Sequence, residues 1–137
     1  MTDTIRKTIE AMYAARVNND VAACRACFSD DARLELAGGD PAVYQSEDAV
    51  PPTIDEQIEA LVSAWRWISI DEQRLLIEGN QAATMYWLHT EFCPTGDIIR
   101  TQISDHMVMD KNGRISEFIE FVDTALVSSL AQKAAAS

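Results

Sequence analysis

Two acidic residues in alternating apolar patterns, Asp105 and Glu120, are the best candidates in this sequence for acid–base chemistry. Successive side chains of a strand point to opposite faces, so residues two apart share a face. The set that shares a face with Asp105 is Ile103, Met107 and Met109, and the set around Glu120 is Phe118 and Val122. The pattern therefore predicts two carboxyl groups that face an apolar interior.

Burial among apolar side chains removes water from a carboxylate, so we expect the pKa of Asp105 to be raised. A carboxyl group tuned towards neutral pH can donate a hydrogen bond to a carbonyl oxygen or transfer a proton. Each acid also has a structural interpretation. Asp105 would then be hydrogen-bonded to backbone, and Glu120 would be solvated or ion-paired.

A third strand contributes polar groups to the same predicted interior, on the face that Thr84, Tyr86, Leu88 and Thr90 share. Tyr86 and Tyr13 could offer a hydroxyl to a ligand, although a buried Tyr often bonds to backbone instead. Trp65, where a predicted helix meets a strand, would lie in the core or at the rim. A mostly apolar cavity with a few convergent polar groups is typical of a small-molecule site.

The elements that position these groups follow from hydrophobic periodicity. Helical spacing predicts helices over 4–17, 21–28 and 53–65, the last opened by a Thr53–Glu56 capping box. Alternation predicts strands over 32–36, 67–78, 82–92, 98–110 and 115–122. We also expect a turn at 29–31, a loop over 38–52 at the pocket mouth, a short helix after Asp123-Thr124 and a frayed end over 131–137.

Short turns between the last four strands indicate an antiparallel meander with helices on one face. We therefore expect one α+β domain over residues 1–137, in which helices cover a strongly curved antiparallel sheet and enclose a pocket.

Composition excludes several classes of function. A formal net charge of -11 disfavours nucleic acid and anionic membrane surfaces. No apolar run reaches the ~18 residues of a membrane span. The three cysteines suit a reducing compartment and a cytoplasmic location, and Cys24 and Cys27 are expected in the core. Because no phosphate-binding, hydrolase or zinc-protease motif is found, no cofactor or metal is expected. His89 and His106 should face outwards.

Several stretches together resemble the nuclear transport factor 2 superfamily, in its SnoaL-like and ketosteroid-isomerase-like branch. They are Ala14–Asp20, Phe28–Ala32, Ser104–Met109, Asn112–Ile115 and Glu120–Asp123. The resemblance implies a cone-shaped fold, a deep pocket and often a homodimer formed through the outer face of the sheet. It says little about activity, because one fold hosts many chemistries.

The family's functional positions match this chain only in part. In the isomerases, the catalytic base corresponds to Leu36 and the helix Tyr to Met12, with Tyr13 beside it; the protonated Asp corresponds to Asp105. In the similar limonene epoxide hydrolases, one Asp corresponds to Glu120, whereas their other acid and Arg fall on Leu88 and Tyr86. In SnoaL-type cyclases a single Asp is acid or base, a role open to Asp105 or Glu120.

Three hypotheses follow. The first is a protein that binds a small apolar carbonyl compound, with an isomerase, cyclase or lyase that uses Asp105 and Glu120 as its enzymatic form. The second is a non-catalytic ligand-binding or dimerisation module, because Leu36 and Met12 replace functional groups. The third is an adaptor that binds proteins through the outer sheet face around Trp87, His89 and Glu91.

Overall fold

The computed structural model describes residues 1–38 and 52–136. In chain order the elements are α1 (Thr2–Val17), α2 (Val21–Ala26), β1 (Phe28–Leu36), α3 (Ile54–Ala64), β2 (Trp65–Glu78), β3 (Gln81–Phe92), β4 (Asp97–Met109), β5 (Ile115–Phe121) and α4 (Thr124–Ala136). This order confirms the predicted α+β class, with helices packed against one sheet. The loop predicted at the pocket mouth falls mainly on residues 39–51, outside the described residues.

The five strands form one sheet in the order β1-β5-β4-β3-β2. The strands β2 to β5 pair antiparallel as the predicted meander. Two register shifts interrupt the β2–β3 pairing, and Glu72 at the second has a positive φ of 55°. Because bulges of this kind bend a strand and increase its twist, they account for the curvature of the sheet.

The first strand departs from the prediction in two ways. It pairs with β5 in parallel, so the sheet is not wholly antiparallel. It also begins at Phe28, and the predicted turn at 29–31 is part of the strand. Pairing of Phe28 with Ile115 and a bond from the Ile115 N–H to the Cys27 carbonyl hold this segment extended.

Helix ends follow the capping signals of the sequence. The Asp20 side chain accepts from the Ala23 N–H at 3.0 Å and begins α2, and Thr53 and Glu56 form the predicted capping box of α3. The last helix continues to Ala136. The Ala-rich segment from Ala131 is therefore helical through Ala136, where the sequence predicted a frayed end.

The core lies between α1, α2, α3 and the inner face of the sheet. Its most deeply buried apolar side chains include Ile5, Ile9, Ile58, Met107 and Ile115. Cys24 and Cys27 are buried free thiols in this core, as predicted, and burial raises the pKa of Cys24 to about 11. No helix among residues 1–38 and 52–136 is long and apolar enough to cross a bilayer.

Candidate functional site

A cavity of about 460 Å³ lies between the inner face of the sheet and helices α3 and α4. Its walls are mainly apolar. The sheet side is lined by Leu34, Leu36, Trp67, Leu88, Ile103 and Phe118, and the helices add Ala60, Leu61, Ala64, Leu126 and Val127. Few charged groups reach the cavity, and those that do include Glu120 and Arg16. This composition suits a small, mostly apolar ligand.

A row of cross-strand neighbours runs across the inner face beside this cavity. The register pairs Leu36 with Glu120, Glu120 with Asp105, and Asp105 with Thr84. Side chains directly opposite one another on a face have Cβ atoms about 5 Å apart. The sequence alternation predicted that the two acids share a face, and the register makes them immediate neighbours.

Asp105 is fully buried, with 0 % of its surface exposed, and two phenols donate hydrogen bonds to one of its oxygens. The Tyr13 hydroxyl donates to Oδ2 at 2.6 Å, and the Tyr86 hydroxyl donates to the same atom at 2.7 Å. Thr84 Oγ1 lies 2.6 Å from the Tyr13 oxygen. Because Tyr13 uses its proton on Asp105, Thr84 is the donor in this pair, and a chain runs from Thr84 through Tyr13 to Asp105.

The other oxygen of Asp105 and one oxygen of Glu120 are also buried. Asp105 Oδ1 and Glu120 Oε2 accept no hydrogen bond from residues 1–38 and 52–136. One proton between the two carboxyl groups satisfies both atoms, and two adjacent buried acids share a proton for the same electrostatic reason. The pair therefore holds one proton to higher pH than free carboxyl groups do.

The proton belongs on Glu120. Burial raises the pKa of Glu120 well above its ordinary value, and the charge of Asp105 raises it further. Burial also raises the pKa of Asp105, but hydrogen bonds from Glu120, Tyr13 and Tyr86 oppose that rise. Since the phenols stabilise only the Asp105 carboxylate, Asp105 is the ionised partner. Burial and the Asp105 charge also raise the pKa of both tyrosines, which remain donors.

Four charged side chains line the cavity within the described residues, namely Glu35, Glu56, Glu120 and Arg16, and Arg16 is 4 % exposed. Its guanidinium carbon lies 4.2 Å from the centre of the Trp67 ring, and Nη2 donates to the Trp65 carbonyl at 3.3 Å. Its Nε is buried and has no hydrogen-bond partner in the part of the chain that the structure describes. The positive charge of Arg16 lowers the pKa of both Asp105 and Glu120, which opposes the effect of burial.

The predicted site residues divide into two groups. The cavity wall contains Leu36, Trp65, Leu88, Thr90, Ile103, Phe118, Glu120 and Val122. Four predicted pocket residues do not line it: Met12, Tyr13, Tyr86 and Met107, which are buried behind the wall. The tyrosines are drawn inwards because their hydroxyls bind Asp105, and Asp105 itself is covered by the same contacts.

Sequence reasoning did not select Arg16. It lies four residues after Met12, and Ile5, Ile9, Met12 and Arg16 form one buried side of α1. A charged residue on the apolar side of a helix was the available signal. The helix α4 was predicted, but nothing in its sequence pattern indicated that it covers the cavity, to which it contributes Leu126 and Val127.

The histidines lie away from the cavity. His89 Nδ1 is 3.4 Å from Ser69 Oγ, and the His106 ring is 5.0 Å from that of Phe121, which is exposed. Across residues 1–38 and 52–136, no group of three or more His, Cys, Asp or Glu side chains could hold a metal ion.

The model of the SnoaL-like domain family matches residues 9–118. The chain belongs to the SnoaL-like family. Comparison of this SnoaL-like protein with curated proteins gives no significant match.

Solved structures share the fold of the SnoaL-like protein at low sequence identity. A proposed isomerase from Bacillus subtilis is 14% identical, with a TM-score of 0.72 over 93% of this chain and 92% of the other. A proposed polyketide cyclase from Xanthomonas campestris is 13% identical, with a TM-score of 0.70 over 90% and 93%. SalBIII, an epoxide hydrolase/cyclase-like enzyme with a role in pyran ring formation in the polyether salinomycin, is 14% identical. Its TM-score is 0.67 over 90% of this chain and 94% of the other.

Proposed function

We propose that this SnoaL-like protein binds a small, mainly apolar carbonyl compound in its cavity and transfers a proton through Glu120. The observation that carries the proposal is the pairing of two interior carboxyl groups, in which Glu120 lines an apolar cavity and Asp105 is buried beside it on the next strand. A carboxyl group with a raised pKa exchanges protons near neutral pH, where an ordinary carboxylate is a weak base.

Glu120 compensates for the apolar residue at the family's base position. The resemblance puts the isomerase base at Leu36, and Glu120 is the direct cross-strand neighbour of Leu36 on the adjacent strand. Both side chains line the cavity. A base at Glu120 would therefore act from a position one strand away.

The proposed step is proton abstraction next to a carbonyl group. Glu120 first releases its own proton to solvent. As a carboxylate it then takes the proton from the C–H bond, the C–H electron pair forms a C=C bond, and the carbonyl π pair moves to oxygen to give an enolate. Return of that proton from Glu120 to another carbon of a conjugated enolate isomerises the compound. If the enolate carbon instead attacks a second carbonyl, a ring closes, and the alkoxide that forms takes the proton from Glu120, which restores the carboxylate. Structural neighbours named as a proposed isomerase and a proposed cyclase support these two outcomes.

Asp105 is a positioning residue in this proposal, since it does not line the cavity. Its negative charge raises the pKa of Glu120 and so sets how strongly Glu120 holds its proton. Tyr13 and Tyr86 in turn keep Asp105 ionised. The side chains of Asp105, Glu120, Tyr13 and Tyr86 would thus form one acid–base unit, in which Glu120 is the member that lines the cavity.

Exchange of carbon-bound hydrogen for solvent deuterium tests the proposal without knowledge of the natural substrate. We would follow 2-tetralone, a small apolar ketone, by proton NMR in deuterated buffer. The wild type should accelerate exchange next to the carbonyl, and Glu120→Gln should abolish the acceleration. Glu117→Gln is the matched control, because Glu117 lies on the same strand and is exposed. Equal rates for Glu120→Gln and the wild type would reject Glu120 as the base.

A non-catalytic binding protein is the second candidate. The apolar residues Leu36 and Met12 at functional positions of the family favour it, and it needs only the cavity. Saturable binding of 2-tetralone without any accelerated exchange would support this candidate over proton transfer.

We also propose a homodimer formed through the outer face of the sheet. Met85 and Phe121 are 40% and 45% exposed on this face, where Arg100 also stacks on Trp87 at 4.2 Å. Exposed apolar patches on a sheet face favour association. Sedimentation at micromolar concentration should give a dimer, and Met85→Lys with Phe121→Lys should give a monomer. A monomeric wild type would contradict the proposal.

We also propose a cytoplasmic location for the protein. Its support is the free state of Cys24, Cys27 and Cys93, because reduced thiols persist in a reducing compartment. Fractionation of cells that produce the tagged protein would test it.

A further inference from the structure

Arg16 is a buried cation at a cavity wall with most of its hydrogen-bonding capacity unused. A guanidinium group has five N–H donors. Only one hydrogen bond is found for Arg16 in the described part of the chain, the 3.3 Å bond to Trp65. None of the ion pairs among these residues includes Arg16. A buried charge without a contacting counter-ion is costly, so an arrangement of this kind calls for a partner.

We propose that Arg16 binds the carboxylate of the ligand, and that the cavity therefore takes a small carboxylic acid with an apolar body. The proposal rests on the proposed function in one respect, namely that the cavity holds a ligand. It adds the chemical class of that ligand, because the apolar walls select the body and Arg16 selects the charged end.

The contacts of Arg16 hold its guanidinium plane in place before a ligand arrives. One face stacks on Trp67 at 4.2 Å, and Nη2 is held by the Trp65 carbonyl. A planar guanidinium presents adjacent N–H groups as a fork that matches the two oxygens of a carboxylate. Since the fork is already positioned, little side-chain entropy is lost when an acid binds.

The acids of the protein leave this role open. Asp105 and Glu120 make no ion pair with Arg16 among the described residues, and they share one proton between them. Their single negative charge balances Arg16 at a distance but does not occupy its donors. Glu35 and Glu56 also line the cavity, but Glu35 pairs with Arg33 at 2.9 Å and Glu56 accepts a hydrogen bond from Thr53. The excess of acidic residues disfavours anions at long range, but salt at physiological strength screens charges beyond about 8 Å. A direct, buried contact with Arg16 is not screened in this way.

The test compares two probes of the same shape that differ in charge, 2-naphthoate and 2-naphthalenemethanol. Binding would be followed by calorimetry and by the fluorescence of Trp65 and Trp67, which line the cavity. The variant Arg16→Gln removes the charge. Arg100→Gln is the matched control, because Arg100 also stacks on a Trp at 4.2 Å but lies on the outer face.

The wild type and Arg100→Gln should bind naphthoate about 10-fold to 100-fold more tightly than the alcohol, the range expected for hydrogen bonds between charged groups. Arg16→Gln should lose this preference and keep its affinity for the alcohol. A wild type that binds naphthoate no more tightly than the alcohol, or that binds neither probe, overturns the proposal. So does an Arg16→Gln variant that retains the preference.

Arg16→Lys covers the case in which Arg16→Gln does not fold, because it keeps the positive charge but not the fork. Its affinity for naphthoate should fall about 10-fold, and an unchanged affinity would overturn the proposal. Deuterium exchange by Glu120 is a separate measurement. If the wild type did not accelerate deuterium exchange but still bound naphthoate more tightly than the alcohol, the proton transfer would be rejected and the assignment of Arg16 would stand.

Discussion

Asp105 and Glu120 are direct cross-strand neighbours, yet only Glu120 lines the cavity. Two phenols donate to Asp105, whereas no donor from the described residues reaches Glu120 Oε2. The two carboxyl groups therefore differ in role although they are adjacent. The buried one carries the charge, and the one at the cavity carries the proton.

The first prediction concerns the titration of this pair. Asp105→Asn removes the negative charge beside Glu120, so the pKa of Glu120 should fall but remain above its usual range because burial persists. Carbon-13 NMR of labelled carboxyl groups measures this shift. Asp97 is an internal reference, because its pKa is lowered by Thr95 and Lys133, far from the pair. If the pKa of Glu120 were unchanged in Asp105→Asn, the charge of Asp105 would not affect the titration of Glu120.

The second prediction is a dependence of stability on pH. The pKa of Glu120 is raised in the folded state, so its protonation stabilises the fold fully below the unfolded value of about 4. That stability is lost as the pH rises through the folded pKa, by at most about 1.4 kcal/mol per pH unit for one proton. The free energy of unfolding of the wild type should therefore fall relative to that of Glu120→Gln from about pH 4 upwards.

Urea denaturation at a series of pH values measures this difference. Glu117→Gln is the control, because it removes a carboxyl group from the same strand at a position outside the cavity wall. Parallel pH profiles for the wild type and Glu120→Gln would mean that Glu120 titrates normally in the folded protein.

Periodicity and turn chemistry were sufficient to predict most of this fold. The helices and the strands β2 to β5 follow from spacing, and the α3 boundary follows from a capping box. The parallel pairing of β1 was missed because it joins residues far apart in the chain, such as Phe28 and Ile115. No local pattern encodes such a long-range contact.

The candidate site was predictable to a similar extent. Alternation placed Asp105 and Glu120 on one face, and the structure agrees. Alternation does not predict, however, which side chains on the inner face are covered by a helix and which remain open to the cavity. Tyr13 from α1 covers Asp105, so the cavity stops at Glu120. That outcome depends on how α1 packs across the sheet, which no strand pattern contains.

The third prediction tests the turn before β5. Gly113 has a φ of +78°, and a Cβ added there would lie 2.7 Å from Thr4 Cγ2. Gly113→Ala should therefore destabilise both through the left-handed backbone and through this collision. Gly79→Ala is a matched control, because Gly79 has a φ of +60° and a Cβ added there would meet no atom of the described non-adjacent residues within 4 Å.

Both alanine variants should lose about 1 kcal/mol from the backbone conformation, and Gly113→Ala about 1 to 3 kcal/mol more from overpacking. Thermal unfolding of the two variants measures the difference. Equal losses would mean that Thr4 moves aside without cost.

The last prediction concerns the phenols that hold Asp105 ionised. Tyr13→Phe or Tyr86→Phe removes one donor to Oδ2, so each should raise the pKa of Asp105 and cost about 1.5 to 3 kcal/mol of stability. Thr90→Val is the control, because the Thr90 hydroxyl donates to the Arg66 carbonyl at 2.9 Å. It should lower stability without moving either carboxyl titration. Since both phenols serve one oxygen atom, their effects should not be additive in the double variant. If the tyrosine variants lost stability but left the Asp105 titration unchanged, the phenols would be structural alone, and the proton on Glu120 would need another cause.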